Sequence, residues 1–294
     1  MTAPLGMPVN PDVFCIGSSV IALPLCFCDH PGKSALAYLQ LHPMDRSSSI
    51  EQVLSALGVG SVSVWTAAGL GQSLEESADF VDKYLVGDKR PRVLVFWVAP
   101  GSFAPEHIDS ETLCSKKLAW FLPDRTLFDP GSNLLQLFRW RSKAQGKCRL
   151  WTDYLYQRLH LIEPEWRRWE RFQMAYAIKY SHKISSNRLA TLKRVLDICD
   201  KRSISVLLVS TPLADQNRRL LKLFSYSDYA KVIAETVQDR ASIIDFGQSS
   251  EFSSRDFFDG AHCNSSGGMK MIHMVTPKLV QLLKKRSGPR NAFI

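Results

Sequence analysis

Two short segments near opposite ends of the chain hold residue types that together do acyl chemistry. Phe14-Cys15-Ile16-Gly17-Ser18-Ser19 is an apolar run ending in a tight turn that presents a serine, and Asp259-Gly260-Ala261-His262 sets a carboxylate three residues before an imidazole. A neutral serine hydroxyl is a poor nucleophile. It needs a base within hydrogen-bond reach, and that base needs a third group to fix its tautomer and stabilise the imidazolium. Singly, a Gly-Ser-Ser turn suits the end of any strand and Asp-x-x-His suits any polar loop. Their order in the chain and the elements around them point to catalysis.

Those elements alternate. Residues 13–16, 62–65, 93–98, 206–209 and 243–246 are short apolar runs of the kind that form strands covered on both faces. Between them lie helical patterns: Leu74, Ala78, Val81 and Leu85 share one face, Leu189, Leu192, Val195 and Cys199 another, and residues 229–237 suit a third helix. A parallel crossover needs a long connection, which a helix supplies, so the pattern predicts an α/β fold, a doubly wound parallel sheet of about five strands. In such sheets, sites gather at the carboxyl ends of the strands, where both segments fall. A last helix, capped by Ser265 or Ser266, carries Ile272, Val275, Leu279 and Leu283 on one face, and Pro277 is expected to kink or divide it.

With 294 residues and 45% apolar content, the chain can bury a large core without disulfides or a structural metal, which predicts a single domain over residues 1–294. No apolar stretch reaches the ~20 residues needed to span a bilayer. The opening Met1-Thr2-Ala3-Pro4-Leu5 lacks the basic start and apolar core of a secretory signal, so the expected location is cytoplasmic, or peripheral at a membrane. Seven scattered cysteines read as reduced thiols. His30, His42, His107, His160, His182 and His273 have no paired carboxylate or second histidine at ligand spacing, which predicts neither metal nor cofactor. His30-Pro31-Gly32-Lys33-Ser34 resembles the end of a phosphate-binding loop, but Phe27 stands where that loop demands glycine, and it reads as a turn opening a helix. Lys284-Lys285-Arg286 suits a solvated helix end, complementing the dipole.

On these residues the chain resembles the SGNH, or GDSL-like, hydrolase superfamily. The resemblance implies a flavodoxin-like sheet, a serine nucleophile in the Gly17-Ser18-Ser19 turn and an Asp-x-x-His block at residues 259–262. It assigns Ser19 as nucleophile, His262 as base and Asp259 as the group that orients the base. The segment Trp65-Thr66-Ala67-Ala68-Gly69-Leu70-Gly71-Gln72-Ser73 is similar to the block whose glycine amide holds an oxyanion, with Gly71 the first candidate and Gly69 the second. Residues 256–267, Asp-Phe-Phe-Asp-Gly-Ala-His-Cys-Asn-Ser-Ser-Gly, look most like the bacterial branch related to the D-alanine transfer protein of teichoic acid assembly and to alginate acetylation proteins. The chain departs from the family after the third strand. Val98-Ala99-Pro100-Gly101-Ser102 replaces the expected Gly-x-Asn-Asp, leaving the Ser19 and Gly71 amides as the oxyanion donors. Losing one such donor commonly costs about two to three orders of magnitude in turnover.

The net charge of +9 is concentrated. Residues at about 134–202 hold 16 Lys or Arg against 6 Asp or Glu, together with Trp140, Trp151, Trp166 and Trp169. This predicts a basic, Trp-rich helical insertion between the third and fourth strands. The tryptophans either pack the insertion onto the body or offer a cationic, aromatic surface to an anionic partner: a membrane surface, an acidic carrier or a charged substrate. Nucleic acid is not expected, since no recognition module accompanies the charge. The expected activity is a serine-dependent hydrolase of an acyl ester or thioester, on a small molecule, a sugar or a carrier. An O-acyltransferase using the same triad is the alternative, and a binding or scaffolding protein that lost its third block is the non-catalytic one.

Overall fold

A computed structural model describes residues 9–31, 44–69, 72–103, 184–214, 226–247, 249–257 and 262–285. Its centre is a six-stranded sheet: β1 (Val13–Gly17), β2 (Met44–Arg46), β3 (Val64–Ala68), β4 (Val93–Val98), β5 (Ser205–Ser210) and β6 (Ala241–Asp245), in the order β2-β3-β1-β4-β5-β6. All neighbouring pairs are parallel except β2 with β3. The five parallel strands therefore follow the flavodoxin-like order, whose switch point is the seam between β1 and β4.

Helices cover both faces. Along β1, Val13 and Cys15 turn into one core with α1 (Ser19–Asp29), α2 (Ser48–Ala56) and α6 (Ser265–Lys285). Phe14 and Ile16 turn into the other, with α3 (Leu74–Tyr84), α4 (Ser186–Lys201) and α5 (Tyr226–Val237). This alternation is the two-residue period of a strand, and because both of their faces are buried β1, β4 and β5 read as unbroken apolar runs. The helix-forming faces expected from Leu74, Leu192 and their partners all point inward.

The differences from expectation have local causes. β3 begins at Val64 because the preceding Ser63 is engaged with Asp12: the Ser63 amide donates to Asp12 Oδ2 at 3.0 Å, and the Asp12 amide donates to the Ser63 carbonyl at 3.1 Å. β6 lies at an edge, where register with β5 starts at Ala241. The sixth strand, β2, has no apolar run to announce it. His30 Nε2 lies 2.8 Å from Asp45 Oδ2, so His30 acquires in space the carboxylate it lacks in sequence. Asp29 also accepts from Ser47 Oγ (2.9 Å), Ser48 Oγ (3.2 Å) and the Ser49 amide (2.6 Å), capping α2 from another element.

Asn264 caps α6, in place of the expected Ser265 or Ser266: its Oδ1 accepts from the Gly267 amide at 3.1 Å. Pro277 does not divide the helix, which runs unbroken for 21 residues. A proline lacks the N–H that would reach the carbonyl four residues back. Thr276 supplies a substitute, donating its hydroxyl to that His273 carbonyl at 3.3 Å.

The final part of the basic stretch, residues 184–202, includes α4, the crossover helix of the body. Its three arginines are paired across the α3 surface: Arg188 with Glu75, Arg194 with Asp79 (2.9 Å) and Asp82 (3.3 Å), and Arg202 with Asp82 (3.0 Å). Arg202 also donates to the carbonyls of Val81 (2.7 Å) and Asp82 (3.0 Å) at the end of α3, where cations suit the helix dipole. Trp140, Trp151, Trp166 and Trp169 lie outside the described residues.

Candidate active site

β1 ends against β4 at the switch point. A Cβ at Gly17 would lie 2.9 Å from Ile21 Cγ2 and 3.0 Å from both Cβ and the carbonyl oxygen of Trp97, so the close approach of strand, helix and neighbouring strand requires glycine here. One residue later the helix has begun. Ser18 occupies the cap position with extended backbone (φ −97, ψ −163), and its carbonyl accepts from the amides of Ile21 and Ala22, each at 3.1 Å. Ser19 is therefore the first residue of α1. Its N–H, in the first turn, has no intrahelical acceptor and sits at the positive end of the helix dipole.

His262 arrives from the far end of the chain. Its Nε2 lies 2.9 Å from Ser19 Oγ across 243 residues of sequence. The tautomer that carries its proton on Nδ1 makes Nε2 an acceptor for the serine hydroxyl, the arrangement a general base requires.

Contacts of the neighbouring residues fix the chain on either side of the histidine. Gly268, in the first turn of α6, rests on α1: a Cβ there would be 2.8 Å from Cys28 Sγ and 3.1 Å from the Pro24 carbonyl. Cys28 Sγ in turn donates to the Ser265 carbonyl at 3.5 Å. Behind the loop, Phe257 and Cys263 form an antiparallel bridge, and the Asn264 amide donates to the Asp256 carbonyl at 3.0 Å. Cys263 is buried in the core, which pins the residue next to His262.

Asp256 is part of this support, and the sequence did not single it out. Its side chain is 4% exposed and accepts from the Ser253 amide (2.9 Å), Ser253 Oγ (3.1 Å), Ser266 Oγ (3.2 Å) and Lys270 Nζ (2.8 Å). Burial pushes its pKa up, but the Lys270 and Ser253 donors outweigh that and hold it below the usual carboxylate range. The available signal was its place three residues before Asp259, in a segment already notable for its composition.

Asp259 and Gly71 both lie outside the described residues. The second glycine candidate, Gly69, has its amide engaged: it donates to Gln72 Oε1 at 2.8 Å, while Gln72 Nε2 donates to Ser77 Oγ at 2.9 Å. Gly69 is thus a structural donor in its turn. After β4 the segment that replaces the expected asparagine block forms a 3-10 turn, Pro100–Phe103, closed on itself: the Ala99 amide donates to Ser102 Oγ at 3.1 Å and the Ser102 amide to the Ala99 carbonyl at 2.8 Å.

The nearby thiols are held in their protonated, weakly nucleophilic form. Burial pushes Cys15, on β1 beneath the turn, up to about 12, and burial followed by the charge of Asp29 does the same to Cys28. Among the described residues there is no group of three or more His, Cys, Asp or Glu able to hold a metal ion. No helix among them is long and apolar enough to cross a membrane.

No family model matches the chain, and no curated protein matches it in sequence. Several solved structures resemble it over almost its full length. A lipase/acylhydrolase from Enterococcus faecalis is 14% identical, with 96% of this chain and 100% of that chain covered and a TM-score of 0.46. A catalytic variant of an acetylxylan esterase from Geobacillus stearothermophilus is 11% identical, with coverages of 93% and 96% and a TM-score of 0.45. A GDSL-like lipase from Bacteroides thetaiotaomicron is 11% identical, with coverages of 96% and 92% and a TM-score of 0.39.

Proposed function

We propose that the chain is a serine-dependent acyl ester or thioester hydrolase of the SGNH type, working through an acyl-serine intermediate. The observation that carries this reading is the 2.9 Å approach of His262 Nε2 to Ser19 Oγ at the carboxyl edge of the sheet.

In this mechanism Ser19 Oγ attacks the carbonyl carbon, its proton passes to His262 Nε2, and the carbonyl electron pair moves to oxygen. The Ser19 amide, at the positive end of α1, donates to the developing oxyanion, with Gly71 as the second donor that the family resemblance implies. Collapse of the tetrahedral intermediate expels the alcohol or thiol, which takes the proton back from His262. Water then repeats the sequence and releases the acid. Asp259 orients the imidazole and stabilises its charged form. If an alcohol rather than water takes the acyl group, the same residues perform O-acyl transfer. The likeness of residues 256–267 to the branch of teichoic acid and alginate acylation proteins favours an acylated polymer or carrier as the natural substrate.

A fluorophosphonate probe tests the reading without knowledge of the substrate, because it reacts with an activated serine. The wild-type chain is expected to label and Ser19→Ala is not. Equal labelling of the two removes Ser19 as the nucleophile, and a folded wild-type protein that does not label favours a scaffold that has lost its chemistry.

A further inference from the structure

We infer that Asp256 is a positioning residue for His262, setting the imidazole against Ser19 by tying together residues 253–257, Asn264 and the start of α6. The inference rests on the acyl-serine reading of that pair. His262 belongs to no helix or strand, and Phe257 and Cys263, on either side of it in the chain, form an antiparallel bridge. Asp256 stands next to Phe257 and joins three segments at once. Its carboxylate accepts from Ser253 on the incoming chain and from Ser266 and Lys270 on α6, and its carbonyl accepts from Asn264, next to Cys263.

Lys270 is tied to the incoming chain a second time, donating to the Glu251 carbonyl at 3.2 Å. The network thereby sets the first turn of α6, which Gly268 rests on α1, relative to the stem of the histidine loop. Removing the carboxylate leaves the apolar face of α6, with Met271, Ile272, Val275, Leu279 and Leu283 buried, to hold the helix on the sheet. The fold therefore survives the loss while the loop stem does not keep its register. A catalytic group displaced by about 1 Å commonly costs about a hundredfold in rate.

The experiment uses the full chain as wild type, Asp256→Ala, Asp256→Asn and Lys270→Met. It measures turnover of p-nitrophenyl acetate, the rate of fluorophosphonate labelling and the ring-nitrogen NMR signals of His262. Asp256→Ala is expected to lower kcat about 10- to 100-fold with KM unchanged within about twofold, and Asp256→Asn to lose less, because its amide oxygen still accepts from Ser253. The His262 ring signals are expected to change from one defined tautomer to an exchange-broadened mixture, while a single cooperative melting transition remains.

A folded Asp256→Ala with wild-type kcat and unchanged ring signals overturns the inference. If that variant does not fold, Lys270→Met and Ser266→Ala each delete one donor from the same carboxylate: a drop of about threefold or more in kcat at constant KM supports the role, and wild-type kcat in both overturns it. Failure of the underlying reading is separable. If wild type neither labels nor turns over, or if Ser19→Ala does both equally well, the acyl-serine mechanism falls. The His262 ring signals in the Asp256 variants then decide the positioning role alone.

Discussion

On one face of the sheet, α1, α2 and α6 meet through buried apolar side chains, with Gly268 letting α6 lie directly on α1. On the other, α3 and α4 also bury apolar side chains but are laced at their rim by Arg188, Arg194 and Arg202 against Glu75, Asp79 and Asp82, and Arg240 reaches Asp197 and Asp200. Ser19 and His262 both belong to the first face. The contrast teaches that the site's geometry is set by close backbone approach together with one buried carboxylate, Asp256, both of which act only at short range. The opposite face is adjusted by charge pairs at its rim, of which the half-exposed Arg194 pairs act weakly and through a screened field.

The largest test of that contrast is the pair itself. His262→Ala and Ser19→Ala are each expected to lower ester turnover by about four orders of magnitude or more while leaving the melting temperature nearly unchanged, since neither side chain supplies much packing. A His262→Ala protein with ester turnover within tenfold of wild type would remove the imidazole from the mechanism.

Next comes the glycine contact behind the histidine. A Cβ at Gly267 would collide with the Asp256 carbonyl and approach Cys263 Cβ to 2.9 Å, so Gly267→Ala must push apart the helix start and the loop stem. Overpacking of this kind costs about 1–3 kcal/mol, and both the melting temperature and kcat are expected to fall together. Loss of stability with full activity would uncouple the helix start from the site.

A smaller effect is expected in acid. Asp256 is held below its ordinary pKa, so as pH falls the unfolded chain takes up the proton first and the native state loses that share of its stability. The loss begins near the unfolded carboxyl value, about 4, and continues as pH drops through the lower native value. Urea denaturation as a function of pH is expected to show a shallower acid decline for Asp256→Asn than for wild type. Equal slopes would mean that the Lys270 pair contributes nothing to stability.

The smallest effect belongs to the charged rim. Arg194 and its partners Asp79 and Asp82 are half exposed, and Arg194→Ala is expected to cost less than about 1 kcal/mol, with added salt narrowing the difference and ester turnover unaffected. A large change in turnover from Arg194→Ala would show that the two faces are coupled after all.

Much of this was legible from local pattern. Each of the five parallel strands overlaps an apolar run, and in β1, β4 and β5 burial on both faces leaves no polar alternation to blur it. The helices over Leu74–Tyr84 and Ser186–Lys201 follow from apolar spacing alone. Edge strand β2 was not legible: its three residues, Met44, Asp45 and Arg46, make no apolar run, and it exists through pairing with β3. That the helix continues through Pro277 was not legible for a similar reason. The proline's missing donor is visible in sequence, but the use of the Thr276 hydroxyl to satisfy the His273 carbonyl depends on a side-chain conformation.

By itself the sequence determined which residue types could do chemistry, Ser19 and His262 among them, and that strands and helices alternate between them, because periodicity and turn chemistry act over a few residues. Only the tertiary structure decided that these two side chains meet at 2.9 Å, that Gly69 spends its amide on Gln72, and that Asp256 gathers Ser253, Ser266 and Lys270 behind the histidine loop. Hydrogen bonds and close packing depend on distances of a few ångströms between segments remote in the chain, and no local pattern carries that information.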